Sequence, residues 1–105
     1  MESQTVLLVD GDVDVGKLIG LLLRQEFCVE VSHVRSGEEA LGVLAQLEPV
    51  LVLLDLKLPG MTGFEFIKHL KSSSVHQHIP IICITALDRA RERAILEGCS
   101  DFIVK

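Results

Sequence analysis

Four polar residues each follow directly on a short apolar run: Asp10 after Thr5–Val9, Asp55 after Val50–Leu54, Thr85 after Ile79–Ile84 and Lys105 after Asp101–Val104. If those runs are neighbouring strands, two carboxylates, a hydroxyl and an ammonium meet at one sheet edge. Adjacent carboxylates repel unless a cation or a proton stands between them. Oxygen ligands of this kind suit Mg²⁺, which keeps waters and takes phosphate oxygens. A carboxylate is also a competent nucleophile towards a phosphoryl group. A metal, an ammonium and a hydroxyl would then meet the charge on its equatorial oxygens. Each residue has a plainer use as well. Asp10 and Asp12 can cap a helix, Asp55 can serve a turn, Thr85 can be a strand-end hydroxyl and Lys105 a solvated lysine.

The elements that would position them follow from the apolar pattern. Val50–Leu54 has no polar interruption, the mark of a strand covered on both faces. Pro59, Gly60 and Gly63 then force a turn. Helical spacing predicts a helix over Asp12–Glu26, with Val15, Leu18, Ile19, Leu22, Leu23 and Phe27 on one face. Cys28–His33 alternates like a half-exposed strand. Ser36 and Glu39 offer a capping box for a second helix, with Leu41, Leu44, Ala45 and Leu47 inward and Pro49 as its stop. A third helix covers Phe64–Leu70. A fourth, Asp88–Glu97, turns Ala90, Ala94 and Ile95 inward and ends at Gly98.

Strands and helices alternate from first to last, which implies an α/β fold: a doubly wound parallel sheet with right-handed crossovers. Five strands favour the flavodoxin-like order 2-1-3-4-5, which sets Asp10 and Asp55 side by side at the switch point, where ligands bind in such sheets.

Composition bounds the rest. The 105 residues suit a single domain, 1–105, and the 49% hydrophobic content supplies a core whose only aromatics are four Phe. The net charge of −5 argues against direct nucleic-acid binding. The apolar stretches Leu18–Leu23 and Ile79–Leu87 are too short to span a membrane, and the start lacks a secretory pattern, so a cytoplasmic protein is expected. Cys28, Cys83 and Cys99 are widely spaced and predict no disulfide framework. His76 and His78 lack further ligands for a metal, and Arg89, Arg91 and Arg93 read as a solvated helix face.

The run L-L-D-L-K-L-P-G-M-T-G around Asp55, with Asp10, Thr85-Ala86 and Phe102-Ile-Val-Lys105, resembles the receiver domain of two-component response regulators over nearly the whole chain. That resemblance implies that Asp55 is the phosphoacceptor and that Mg²⁺ is the cofactor. It implies Asp10, Asp55 and the Lys57 backbone carbonyl as metal ligands, Thr85 and Lys105 as phosphoryl-binding groups, and Thr85 with Phe102 as a switch pair. The implied partners are a histidine kinase or phosphotransfer protein and an effector. Two departures stand out. Gly11 occupies the place of a second acidic residue, leaving Asp12 as the substitute ligand to consider, and the family's final helix does not follow Lys105. The first raises the alternative of a pseudo-receiver, an interaction domain with little phosphorylation. The second leads to an expectation of homo-oligomers, because one sheet face would keep apolar surface.

Overall fold

The computed structural model describes residues 4–86 and 88–105; Met1–Ser3 and Leu87, the last residue of the Ile79–Leu87 stretch, lie outside them. Five parallel strands, β1 (Thr5–Val9), β2 (Glu30–Val34), β3 (Leu51–Leu54), β4 (Ile81–Thr85) and β5 (Asp101–Val104), form one sheet in the order β2-β1-β3-β4-β5. The helices are α1 (Val13–Phe27), α2 (Gly37–Leu44), α3 (Gly63–Ser72) and α4 (Arg91–Glu97), the last entered through a 3-10 turn, Asp88–Ala90. This is the flavodoxin-like architecture expected from the alternation. Val9 pairs with Leu54, so the residues that follow them, Asp10 and Asp55, leave the sheet together.

Side chains alternate between strand faces, and the apolar runs therefore build two cores. Leu7, Val9, Val52, Leu54, Ile81 and Cys83 pack with Ala40 and Leu44 of α2, with Phe66, Ile67 and Leu70 of α3, and with Ala94 of α4. Val6, Leu8 and Leu53 face the other way, against Ile19 and Leu23 of α1. Among the described residues no helix is long and apolar enough to cross a membrane. Cys83 and Cys99 are buried and unpaired, and burial pushes both thiols up, so they serve as small core groups.

Helix faces depart from the expected pattern in particular ways. On α1 the buried positions are Gly16 and Gly20, whereas Leu18, Leu22 and Phe27 are exposed. The helix lies close to the sheet through its two glycines; a Cβ on Gly16 would overlap the His33 imidazole of β2. Cys28 belongs to the end of α1, in the left-handed conformation, and β2 starts at Glu30. α2 ends at Leu44, well before Pro49, and buries Ala40 where Ala45 was expected. Its Ser36 cap accepts from the Glu39 amide at 3.1 Å, while a reciprocal capping box occurs at Thr62 and Glu65, heading α3. β4 starts two residues later than the Ile79 expected. Ile95 is exposed, and Arg93, itself exposed as expected of a solvated face, also lies 4.0 Å over the Phe64 ring, tying α4 to α3.

Two phenylalanines give opposite expectations. Phe66 has no exposed surface and sits among the helices of the larger core, whereas Phe27 is 68% exposed. Phe66→Ala is expected to lower stability by about 3–5 kcal/mol, and Phe27→Ala by less than about 0.5 kcal/mol. Urea unfolding of the two variants beside the parent measures both; comparable losses would contradict the two-core packing.

Candidate functional site

The site residues lie one step beyond their strands yet remain pinned to the sheet. The amide of Asp10 donates to the Val34 carbonyl at 3.0 Å, that of Asp55 to the Val9 carbonyl at 2.9 Å and that of Lys105 to the Thr85 carbonyl at 2.8 Å. The ladder is thus extended by one rung on each strand, which leaves little freedom for the polar side chains it carries. Thr85, the last residue of β4, is itself buried.

The carboxylates meet through Lys105. Its Nζ donates to Asp55 Oδ2 at 2.9 Å and to Asp10 Oδ2 at 3.1 Å. Asp10 is 2% exposed and Asp55 12% at the side chain, so these ion pairs are formed largely out of water. The remaining carboxylate oxygens are held by their own loops: Asp10 Oδ1 accepts from the Asp12 amide at 2.9 Å, and Asp55 Oδ1 from the Lys57 amide at 3.1 Å. In front lies a cavity of about 650 Å³ lined by Gly11, Asp12, Asp55, Lys57, Thr85 and Lys105 with neighbouring loop residues. Desolvation disfavours the Lys105 ammonium, but its hydrogen bonds and charge attraction to Asp55 and Asp10 outweigh that and hold its pKa above the ordinary 10.5.

The fold brings Asp10, Asp55, Thr85 and Lys105 to one edge, where the spacing set them, and Lys57, named only by the resemblance, lines the same cavity. Phe102 is different: it is a buried residue of the larger core, pairing with Cys83 across β4 and β5, and does not line the cavity. Asp12 lines the cavity but also caps α1, its Oδ1 accepting from the amides of Asp14 at 3.0 Å and Val15 at 3.1 Å. His76 and His78 separate, the first donating Nε2–H to the Leu44 carbonyl at 3.2 Å and the second pairing with Glu48 at 2.6 Å.

Two contributors were not evident from sequence. His33 is half-buried, in keeping with the alternating Cys28–His33 run. Its Nε2–H donates to the Asp10 carbonyl at 3.0 Å, fixing the peptide that enters the acidic loop. Glu38, at the start of α2, accepts from the Met61 amide at 3.2 Å and so holds the turn that follows Asp55. Both are contacts between elements far apart in the chain, and no local spacing announces them.

Residues 6–105 match the family described as response regulator receiver domain. The chain belongs to that family. It is 38% identical to the response regulator PleD of Caulobacter vibrioides over 106 aligned positions, which take in 98% of this chain and 23% of PleD. It is 31% identical to the phosphate regulon transcriptional regulatory protein PhoB of Escherichia coli, covering 98% of this chain and 45% of PhoB. The chain therefore spans less than half the length of these curated relatives. The BeF3-activated N-terminal receiver domain of Klebsiella pneumoniae RstA superposes with a TM-score of 0.88 at 32% identity, covering 97% of this chain and 86% of that one.

As a receiver, the chain would hold Mg²⁺ with few ligands. Among the described residues no group of three or more His, Cys, Asp or Glu side chains could hold a metal. The place where a third carboxylate would stand is Gly11, and a Cβ there would come 3.3 Å from Pro59 Cδ. The donors that remain, the carboxylates of Asp10 and Asp55 and the carbonyl of Lys57, are hard oxygens, and one or two carboxylates plus waters suffice for Mg²⁺. The residues present therefore fit the ion as a minimal set.

Two expectations follow from this geometry. Asp12→Ala should cost about 1 kcal/mol of stability through loss of the helix cap, while Mg²⁺ affinity stays within about twofold because the capping oxygen is not a member of the minimal donor set. Thermal melts and a calorimetric Mg²⁺ titration read the two effects separately, and loss of binding would make Asp12 a ligand. The second concerns alkali. The pKa of Lys105 is higher folded than unfolded, so its contribution is fully present below 10.5 and is lost as pH rises through the higher folded value. In metal-free buffer Lys105→Met should melt below the parent at neutral pH, and the gap should close above pH 10.5. A gap that persists undiminished would contradict it.

Proposed function

We propose that Asp55 is the phosphoacceptor of a signalling receiver, taking a phosphoryl group from a phosphohistidine on a histidine kinase or phosphotransfer protein. The observation that carries this reading is the placement of Lys105 against both carboxylates, with Thr85 at the same edge and an open cavity in front. In the transfer, an Asp55 carboxylate oxygen attacks phosphorus, the P–N bond to the donor imidazole breaks, and that nitrogen keeps the electron pair and takes up a proton. The product is an acyl phosphate on Asp55. Asp10, Asp55 and the Lys57 carbonyl would hold Mg²⁺, which when bound supplies positive charge to the phosphoryl oxygens. Lys105 would follow the phosphoryl group as its ion partner, and the Thr85 hydroxyl would donate to it.

Output then depends on a population shift. As Thr85 moves towards the phosphoryl oxygens it vacates space beside Phe102, whose ring, having no hydroxyl, is already favoured in the buried position it holds here. Coupling of this kind is typically worth about 1–3 kcal/mol. The second reading, a pseudo-receiver that binds partners with little phosphorylation, is favoured by Gly11 and by the cap that engages Asp12.

Intact-mass spectrometry after incubation with Mg²⁺ and acetyl phosphate distinguishes the two. The expected result is one phosphoryl adduct on the parent and none on Asp55→Asn. An adduct of equal yield on Asp55→Asn would overturn the assignment of Asp55, and an unmodified parent would favour the pseudo-receiver.

A further inference from the structure

We propose that His33 is a positioning residue for the acidic loop: its imidazole fixes the Asp10–Gly11 peptide plane, and with it the direction in which the Asp10 carboxylate faces a divalent cation. The proposal rests on the phosphoacceptor reading only in naming Mg²⁺ as that ion. His33 stands on β2 beneath α1, on the strand face it shares with Val31. Its Nε2–H donates to the Asp10 carbonyl at 3.0 Å, and the carbonyl of the next residue, Val34, accepts from the Asp10 amide at 3.0 Å. Two consecutive residues of one strand therefore hold the peptide groups on both sides of Asp10. A carbonyl can only accept, so in this contact the ring carries its proton on Nε2.

The brace matters because the next residue is glycine. With no Cβ, Gly11 sets little barrier to rotation of the peptide that joins it to Asp10. Among the described residues the glycines with positive φ are Gly60 and Gly98, so the folded loop makes no use of the freedom that Gly11 has. The hydrogen bond from His33 acts on the peptide plane itself and removes that freedom. Its effect reaches the carboxylate through the loop. The Asp12 amide donates to Asp10 Oδ1 at 2.9 Å. With Oδ1 held there, Oδ2 is the oxygen turned to the site, 3.1 Å from Lys105 Nζ. A turned peptide plane would carry the Asp12 amide off its acceptor and release the Asp10 side chain. Asp10 is buried, so water is poorly placed to replace the lost bond.

The test compares two variants without a donor, His33→Phe and His33→Leu, with His33→Gln, which keeps an N–H donor at similar reach. MgCl₂ is titrated calorimetrically into each without phosphodonor, and the Asp12 amide proton is followed by NMR in metal-free buffer. The variants without a donor should bind Mg²⁺ about fivefold more weakly than the parent, the order of one hydrogen bond, and their Asp12 amide proton should move upfield. His33→Gln should stay within about twofold of the parent and keep the amide signal in place. A ring that only fills space would give the reverse, a parent-like His33→Phe and an impaired His33→Gln, and that result would overturn the proposal, as would parent-like behaviour of all three. Repeating His33→Phe in a Gly11→Ala background separates the peptide plane from general destabilisation. A Cβ at residue 11 would meet Pro59 Cδ at 3.3 Å and the Arg35 carbonyl at 3.6 Å, which a small shift of the proline ring accommodates. With that side chain limiting the rotation, the loss on His33→Phe should shrink to about twofold, and an undiminished loss counts against the mechanism. A measurement on the parent covers variants that fail to fold. With ¹⁵N-labelled histidine in mildly alkaline buffer, His33 should be the Nε2–H tautomer, and the Nδ1–H tautomer would overturn the proposal. A parent that binds no Mg²⁺ would count against the cation reading of the site, while the Asp12 amide and the His33 tautomer still decide the role of His33.

Discussion

Two carboxylates at the end of adjacent parallel strands repel, and the fold tolerates them because one ammonium bonds both. Asp10 is almost wholly buried, and an unpaired charge there would be expensive. Lys105 meets it from the far side of the site, two strands away from Asp55 in the sheet. The contact spans nearly the whole length of the sequence and closes the C-terminal edge of the sheet from β1 to β5. The loop amides take the oxygens that Lys105 leaves, and the cavity lies in front of the cluster.

The loops are held by contacts of a different character. His33 fixes the Asp10 peptide from β2, and Glu38 fixes the turn after Asp55 from α2. These hydrogen bonds lie outside the carboxylate cluster itself. Their role is to keep two irregular segments in register with a rigid sheet, so that the carboxylates approach each other at a set separation. A site built on strand ends and braced in this way keeps its geometry before any ligand arrives.

The sheet order and the edge cluster were legible in the sequence because they depend on local signals: apolar runs of strand length, polar residues at their ends and an unbroken alternation of elements. The receiver motifs then named roles that spacing alone left open. The orientation of α1 was less legible. Leucines at helical spacing suggested that Leu18 and Leu22 turn inward, but the two glycines occupy the closest approach and the leucines face out. Apolar periodicity reports which residues tolerate burial, whereas helix–sheet distance is decided by the smallest side chains on the contact line. The capping role of Asp12 was foreseen as one of two uses. The bracing by His33 and Glu38 was not, since each joins positions twenty-three residues apart.

The contact between Gly16 and His33 also makes the two positions a single steric unit. The imidazole fills the volume that any larger residue at 16 would require, and the same ring holds the Asp10 carbonyl. A methyl group added on the outer layer of the protein would therefore be felt as a displacement of a peptide bond in the acidic loop, with α1 acting as a lever. Sequence drift at these sites must be joint: enlargement at 16 is tolerated only with a smaller ring or none at 33, and then the loop loses its brace. A double-mutant cycle across the pair should accordingly be strongly non-additive, and additive losses would show that the helix can simply step away from the sheet.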